Sequence, residues 1–446
     1  MKKNYFYAAG LVLLLVAGVV FHQKYQNVSE PIPPLRERQG PISTTSEWLN
    51  TKAAIQGLQR NLREKPGDLK SKLLLALAYM QEARVTGEHP YYYPAALQLV
   101  NEILDRNPDD QVLVYEATVA KATIQLSLHQ FDKALETGKT ALQINNRGAA
   151  VYGVLCDANV ELGHYEEAIA MADKMVSLRP DLKSYSRVSY LREIHGDMPG
   201  AIEAMQLAVD AGFPGLEQTA WATVTLGSLY EKTGDLKNAD TQFKKALQYS
   251  PNYAFAIGGM GRLAVKNKDY KTAEGLFTQA SNIIPEFSFQ EELVRLYQQQ
   301  GKTAQAKATM AELLEGLEED QEAGHVVDLE FANIYLQLGK NPNKALEYAL
   351  NEYKRRPDNI DVCKVLAEIY YQKQDYGTAA TYLKKAMRTN SQDASLVCLD
   401  GLVKFRSGDQ VNGTNLMQKS LTINPYQNTL CSAEAKNLVN KALSQL

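Results

Sequence analysis

The 446-residue chain has little of what catalytic and metal centres are built from. It holds 4 cysteines, 6 histidines and 2 tryptophans. Cys156, Cys363, Cys398 and Cys431 form no Cys-x-x-Cys pair, so buried thiols are expected, with a Cys398–Cys431 disulfide as the alternative. No His-Glu-x-x-His, nucleophile elbow or paired-acid motif occurs. Gly301-Lys302-Thr303 has the ending of a phosphate-binding loop, but Leu296 stands where that loop needs glycine, and a glutamine-rich helix precedes it instead of a strand. A charge excess of either sign is also missing. Lys and Arg number 48 against 51 Asp and Glu, a net −3 that removes the electrostatic case for a nucleic-acid partner. These absences predict a protein that is not an enzyme and takes no cofactor, metal or small-molecule substrate.

What is present is a repeat. Ala220–Tyr253 laid over Ala254–Phe287 keeps the same residue at Gly227/Gly261, Leu229/Leu263, Asp235/Asp269, Lys237/Lys271, Ala239/Ala273, Phe243/Phe277, Ala246/Ala280 and Pro251/Pro285. Each copy is an apolar-periodic run, a polar turn, a second run and a proline, the pattern of a helix–turn–helix closed by a residue that cannot continue a helix. The small residues let backbones approach where helices cross, while Leu229 and Phe243 fill the space beside them. This spacing resembles the tetratricopeptide repeat family, whose period is about 34 residues.

Following the small residue of the second helix gives ten units, marked by Ala96, Ala134, Ala168, Ala201, Ala239, Ala273, Ala306, Ala345, Ala379 and Gly413. The resemblance implies an all-α, right-handed α-solenoid over residues 67–427 whose successive first helices line a concave groove. Thr44-Thr45-Ser46-Glu47 fits a capping box opening an N-terminal capping helix over 44–66, and residues 428–446 read as a C-terminal cap. The groove candidates are Tyr79, Asp157, Arg187, Tyr190, Arg262, Arg295, Asn333, Lys364, Glu368 and Tyr371, and the expected occupant is a protein or peptide. The family's carboxylate clamp is absent: Lys364 is followed by Glu368 where asparagine is needed, and Asn333 is preceded by Leu329 where lysine is needed.

Departures from the period predict loops. Arg84–Pro94 reads as an inserted loop whose Tyr91, Tyr92 and Tyr93 form a contact patch or fold back onto the N-terminal cap. Asp210–Thr219 and Glu315–Gly324 are longer connections, the second a solvated acidic turn. His129, His164 and His195 occupy three consecutive turns and read as solvated, because stacked hairpins lie about 10 Å apart while metal ligands converge to about 2 Å.

The N-terminus differs. Residues 1–4 are short and basic, and an uncharged run from Tyr5 to Phe21 reads as a membrane-anchor helix over 5–22 in the lipid bilayer. Residues 23–43, with Pro31, Pro33, Pro34 and Pro41, read as a tether. Lys2 and Lys3 put the N-terminus in the cytoplasm and the array outside the inner membrane, toward the periplasm, while Lys24, Arg36 and Arg38 argue against that orientation. The expected function is a membrane-anchored scaffold for partner or client polypeptides. The alternatives are the same array facing the cytoplasm and tethering soluble enzymes, or a soluble periplasmic protein released by signal cleavage.

Overall fold

The computed structural model describes residues 32–443 apart from residue 428. The proposed anchor over 5–22 lies outside the described residues; among those described, no helix is long and apolar enough to cross a membrane. The chain divides into two units, Met1–Arg36 and Glu37–Leu446. In the first, residues 32–36 are irregular.

The second unit has 22 α-helices and a short 3-10 turn, Gly40–Thr44, and no strand among the described residues. α1 (Ser46–Glu64) precedes ten hairpins. The first five are α2–α3 (Leu69–Thr86, His89–Asp105), α4–α5 (Gln111–Ser127, Phe131–Ile144), α6–α7 (Ala149–Leu162, Tyr165–Leu178), α8–α9 (Leu182–Ile194, Met198–Asp210) and α10–α11 (Glu217–Lys232, Leu236–Tyr249). The next five are α12–α13 (Ala254–Lys266, Tyr270–Ile283), α14–α15 (Phe287–Gln299, Thr303–Glu322), α16–α17 (Asp328–Gln337, Pro342–Arg355), α18–α19 (Ile360–Gln372, Tyr376–Ala386) and α20–α21 (Ala394–Arg406, Gln410–Ile423). α22 (Leu430–Leu443) closes the array.

The shared residues have visible causes. Asp197, Asp235, Asp269, Asp375 and Asp409 each cap a second helix, the side chain accepting the N–H three residues on. Each such cap contributes about 1 kcal/mol. Phe243 is fully buried between Gly227 of its own hairpin and Gly259 of the next. A Cβ at either glycine would lie 2.6 or 2.7 Å from its ring, and Phe277 repeats the arrangement against Gly261. The ring and the absent side chain are one device, which lets neighbouring backbones close on a flat apolar wedge.

Several expectations are corrected. Arg84–Pro94 is not a loop: the extra residues are wound into α3, which begins a full turn ahead of Ala96, leaving Gly87 and Glu88 as the turn. Tyr92 and Tyr93 are therefore buried, Tyr92 packing on Tyr79 at 5.4 Å and edge-on to Tyr91 at 5.0 Å, because a helix buries apolar rings that a loop would expose. Residues 315–322 of the acidic run continue the long α15, and Asp320 within it is buried. The predicted capping box does not form; Thr45 caps α1 through the N–H of Trp48, and Glu47 instead accepts from Arg38. Nor is the end of the tether free. Arg38 is buried, donates to Glu82 at 2.9 Å and stacks on Trp48 at 4.6 Å. The four cysteines are buried and unpaired.

First helices of successive hairpins pack directly on one another, so they form the inner side of the array. The array also winds back on itself. The turn of each of the first five hairpins meets the connection that follows the hairpin five places later: Gly87 meets Pro285, His129 meets Val326, Gly163 meets Asp358, Gly196 meets Asn390, and Gly234 meets Pro425. One superhelical turn thus takes about five and a half hairpins, and most of the joined partners lie 193 to 198 residues apart in sequence, with Arg388 reaching the Gly163 carbonyl from 225 away.

The seam explains two of the turn glycines. At Gly163 and Gly196 a Cβ would sit 2.2 and 2.5 Å from the carbonyl oxygens of Asp358 and Asn390. In turns away from the seam, Lys268, Lys340 and Gln374 hold the same left-handed backbone. Close approach, beyond the positive φ, selects glycine at the seam. Gly163→Ala should therefore destabilise the chain by about 2–4 kcal/mol in urea titration, whereas Gly301→Ala, with an equally positive φ but open space, should cost about 1 kcal/mol.

Candidate binding channel and its seam

The inner wall is polar, and its side chains are paired between neighbouring first helices. Asp157 on α6 receives Arg187 of α8 through two bonds, Nε to Oδ1 at 2.8 Å and Nη2 to Oδ2 at 2.5 Å. Glu231 on α10 takes both Arg262 (3.0 Å) and Lys266 (2.8 Å) of α12. These two cations hold the Glu231 carboxyl below its usual range although burial opposes them. Gln337 of α16 donates to Glu368 of α18 at 2.7 Å, and Lys364 donates to Asp393 (3.1 Å) and Ser395 (2.6 Å) ahead of and within α20. Arg84 of the first hairpin reaches Glu217 of the fifth at 2.9 Å, so the winding brings first helices four hairpins apart together.

The residues expected to face a groove divide accordingly. Asp157, Arg187, Arg262, Lys364 and Glu368 make the inter-helix pairs just described. Tyr79 and Tyr371 are corrections, since both are buried. Tyr79 accepts from Gln59 of α1 at 2.8 Å, and Tyr371 donates to Glu434 of α22 at 2.9 Å. Both rings are covered by the capping helices, Tyr79 by α1 and Tyr371 by α22. Asn333 is turned back to the Leu329 carbonyl at 3.0 Å. Arg295 lies on the inner side with Glu292 at 4.0 Å, and its buried Nε has no hydrogen-bond partner. Tyr190 remains 38% exposed.

Tyr190 and Lys364, 174 positions apart, line one cavity of about 570 Å³ at the seam, with Glu193, Lys232, Asp361 and Lys419. The sequence selected the first two as inward positions of separate hairpins; the winding makes them neighbours.

Other residues of the seam escaped the sequence reading. Arg356 is buried, pairs with Glu352 and with Glu161 across the seam, and lies over the Phe131 ring at 4.7 Å. Asn359 donates to the Glu161 carbonyl at 3.0 Å, and Tyr165 accepts the Ile360 N–H at 3.0 Å. No local motif announces such contacts; their one trace is the glycine at successive early turns. Of the turn histidines, His164 is exposed as expected, while His129 and His195 are partly covered. His129 stacks on Phe131 at 5.4 Å, and His195 meets Tyr165 edge-on at 6.2 Å, because the seam covers these turns. Among the described residues no group of three or more His, Cys, Asp or Glu side chains is arranged to hold a metal ion.

The model of the tetratricopeptide repeat matches residues 224–253 and 361–393, which fall within the fifth and ninth hairpins. Those two stretches match the tetratricopeptide repeat. Among solved structures, it is similar to TTC0263, a thermophilic tetratricopeptide protein of Thermus thermophilus, at 25% identity over 44% of this chain and 97% of that one, with a TM-score of 0.37. It is also similar to PilW, a type IV pilus biogenesis factor, at 15% identity over 47% and 97% of the two chains (TM-score 0.38). A third is a human IFIT1 dimer with PPP-AAAA, at 14% identity over 85% and 90% (TM-score 0.43). No curated protein matches the sequence significantly.

The inner acids make a pH-dependent prediction. Burial pushes the Glu291 carboxyl up to about 7; Arg295 opposes this, and Glu292, Glu286 and Glu330 add to it. A carboxyl whose folded pKa is raised binds its proton more tightly in the folded state, so its contribution to stability falls as pH rises from about 4.5 through about 7. Glu291→Gln should stabilise the chain by about 1–2 kcal/mol at pH 8 and leave it unchanged at pH 4, read by urea titration at both pH values.

Proposed function

We propose that this chain is a non-catalytic scaffold that binds partner or client polypeptides on the inner side of its repeat array. Tetratricopeptide proteins generally mediate protein–protein interaction, and the matched repeats support that reading here. The observation that carries the site is the cavity of about 570 Å³ at the seam, where Tyr190 keeps an exposed ring among charged groups from two turns of the superhelix. An aromatic ring with a hydroxyl offers a large contact area at little entropic cost, the usual quality of a binding hot spot. Most of the remaining inner charges are engaged with one another, as Asp157 with Arg187 and Glu231 with Arg262 and Lys266.

The placement proposed is a single anchor over residues 5–22, with the array on the outer side of the cytoplasmic membrane. Lys2 and Lys3 support this orientation. Of the three basic residues on the opposite flank, Arg38 is engaged by Glu82 and Glu47, which weakens its weight as a free flanking charge.

Tyr190→Ala should weaken capture of the client from an envelope extract at least tenfold, with unchanged helicity and melting temperature. Undiminished capture would remove the cavity from the site. Protease added to intact spheroplasts should destroy a C-terminal epitope without lysis; protection until lysis would place the array in the cytosol instead.

A further inference from the structure

Four of the five seam turns carry glycine in the left-handed backbone conformation, with φ from +74° to +81°. The fifth carries His129, at φ +54°. Histidine tolerates this backbone better than most residues. The ring of His129 enters the seam. Its Nδ1 lies 2.9 Å from the Val326 carbonyl, which makes Nδ1 the donor, while the Val326 N–H returns to the Leu128 carbonyl at 3.1 Å.

Two further histidines meet it from other segments. His325, from the connection after the seventh hairpin, lies edge-on to His129 with ring centroids 4.4 Å apart. His89, from the first turn of α3, lies 6.4 Å from His325. His325 is almost wholly buried, its Nδ1 is 3.3 Å from the Asp320 carboxylate, and its buried Nε2 has no hydrogen-bond partner. Three of the chain's 6 histidines thus meet where the second hairpin touches the seventh. Like charges this close and this buried repel strongly, so each ring that takes a proton makes the next proton harder to bind.

We propose that His129, His325 and His89 form a proton-operated latch on the seam, opening the N-terminal end of the superhelix as pH falls below about 6.5. The groups facing the cluster set its sense. The Asp320 carboxylate of α15 lies 3.3 Å from His325 Nδ1. Glu330 of α16 approaches His129 at 3.7 Å, but Arg356 of α17 lies on the same side and is itself balanced by Glu352 and Glu161. Tyr93 of α3 stacks near His89 at 5.3 Å and brings no charge at this pH, and Glu286 ahead of α14 is held toward its neutral form by burial. A proton on His129 therefore lands between the His325 ring and the Arg356 guanidinium, both of which oppose it.

The sign follows from linkage. Burial, with His325 second, lowers His129 to about 3 in the closed seam, against 6.5 when the ring is free in water. A lowered histidine binds protons less well closed than open, so closure is fully stable above pH 6.5 and is lost progressively as pH falls from 6.5 toward 3. The latch sits near the N-terminal end of the seam, where the Gly87–Pro285 contact and the packing of Gly40–Thr44 on α13 lie beyond it. At the opposite end, Gly234–Pro425 and the bond from Asn424 to the Glu231 carbonyl include no histidine. This inference rests on the seam alone and holds whether or not the channel binds a polypeptide.

The test is amide hydrogen exchange of the full chain at pH 7.5 and pH 5.0, corrected for intrinsic rates. The Val326 amide should lose protection by about 30-fold between the two, the factor expected for one histidine shifted from 6.5 to about 3. Amides of the Asn424–Glu231 end should change less than threefold. His129→Gly suits the left-handed turn as the other seam glycines do, and should keep Val326 protected at pH 7.5 while reducing the pH effect below about fivefold. His89→Gln, which removes the outer ring without touching the turn, should give an intermediate effect. Equal protection of wild-type Val326 at both pH values, or a full pH effect in His129→Gly, overturns the proposal.

Discussion

The close approach of one superhelical turn to the next governs this structure. A helical hairpin cannot bury both its faces alone, and stacking on its neighbours solves that problem in one dimension. Here a second set of contacts joins hairpins five places apart, so the array is not a simple string of neighbours. Backbone meets backbone at these points, as at Gly163 against the Asp358 carbonyl, and the tolerance for any side chain is small. The buried Arg356, paired with Glu352 and Glu161, adds a charge cluster whose members must all be present to be satisfied.

That winding also decides the character of the inner wall. In an open groove the first-helix charges would stand in water, and pairs such as Asp157–Arg187 or Glu231–Arg262 would contribute little. Wound closely, the same side chains are partly withdrawn from solvent. Their pairs then matter for register between neighbouring helices, and acids without a full partner, such as Glu291, are pushed toward their neutral form. The inner side is thus a surface of fixed, mostly satisfied charges with one exposed aromatic ring, Tyr190, at a cavity between turns.

The repeat frame was legible because its cause is local. Gly227 against Phe243, and Asp235 or Asp269 as a cap, act within one or two hairpins, so a 34-residue comparison finds them. Insertions were legible in position but not in form. Four extra residues were expected as loops, yet in α3 and α15 they continued a helix, which satisfies their backbone bonds within the chain. The groove residues were legible by register for the middle of the array and failed at its ends, where Tyr79 and Tyr371 meet the capping helices.

By itself, then, the sequence determined that the chain is a stack of ten helical hairpins and which small residues lie where their helices cross. Those properties depend on contacts between residues tens of positions apart, within reach of a periodic pattern. Only the tertiary structure decided that the stack closes on itself. It alone brought His129 to His325, Arg356 to Glu161, and Tyr190 to Lys364. The angle between successive hairpins is a small quantity, set by side-chain packing and summed over more than five repeats, and no single residue encodes that sum.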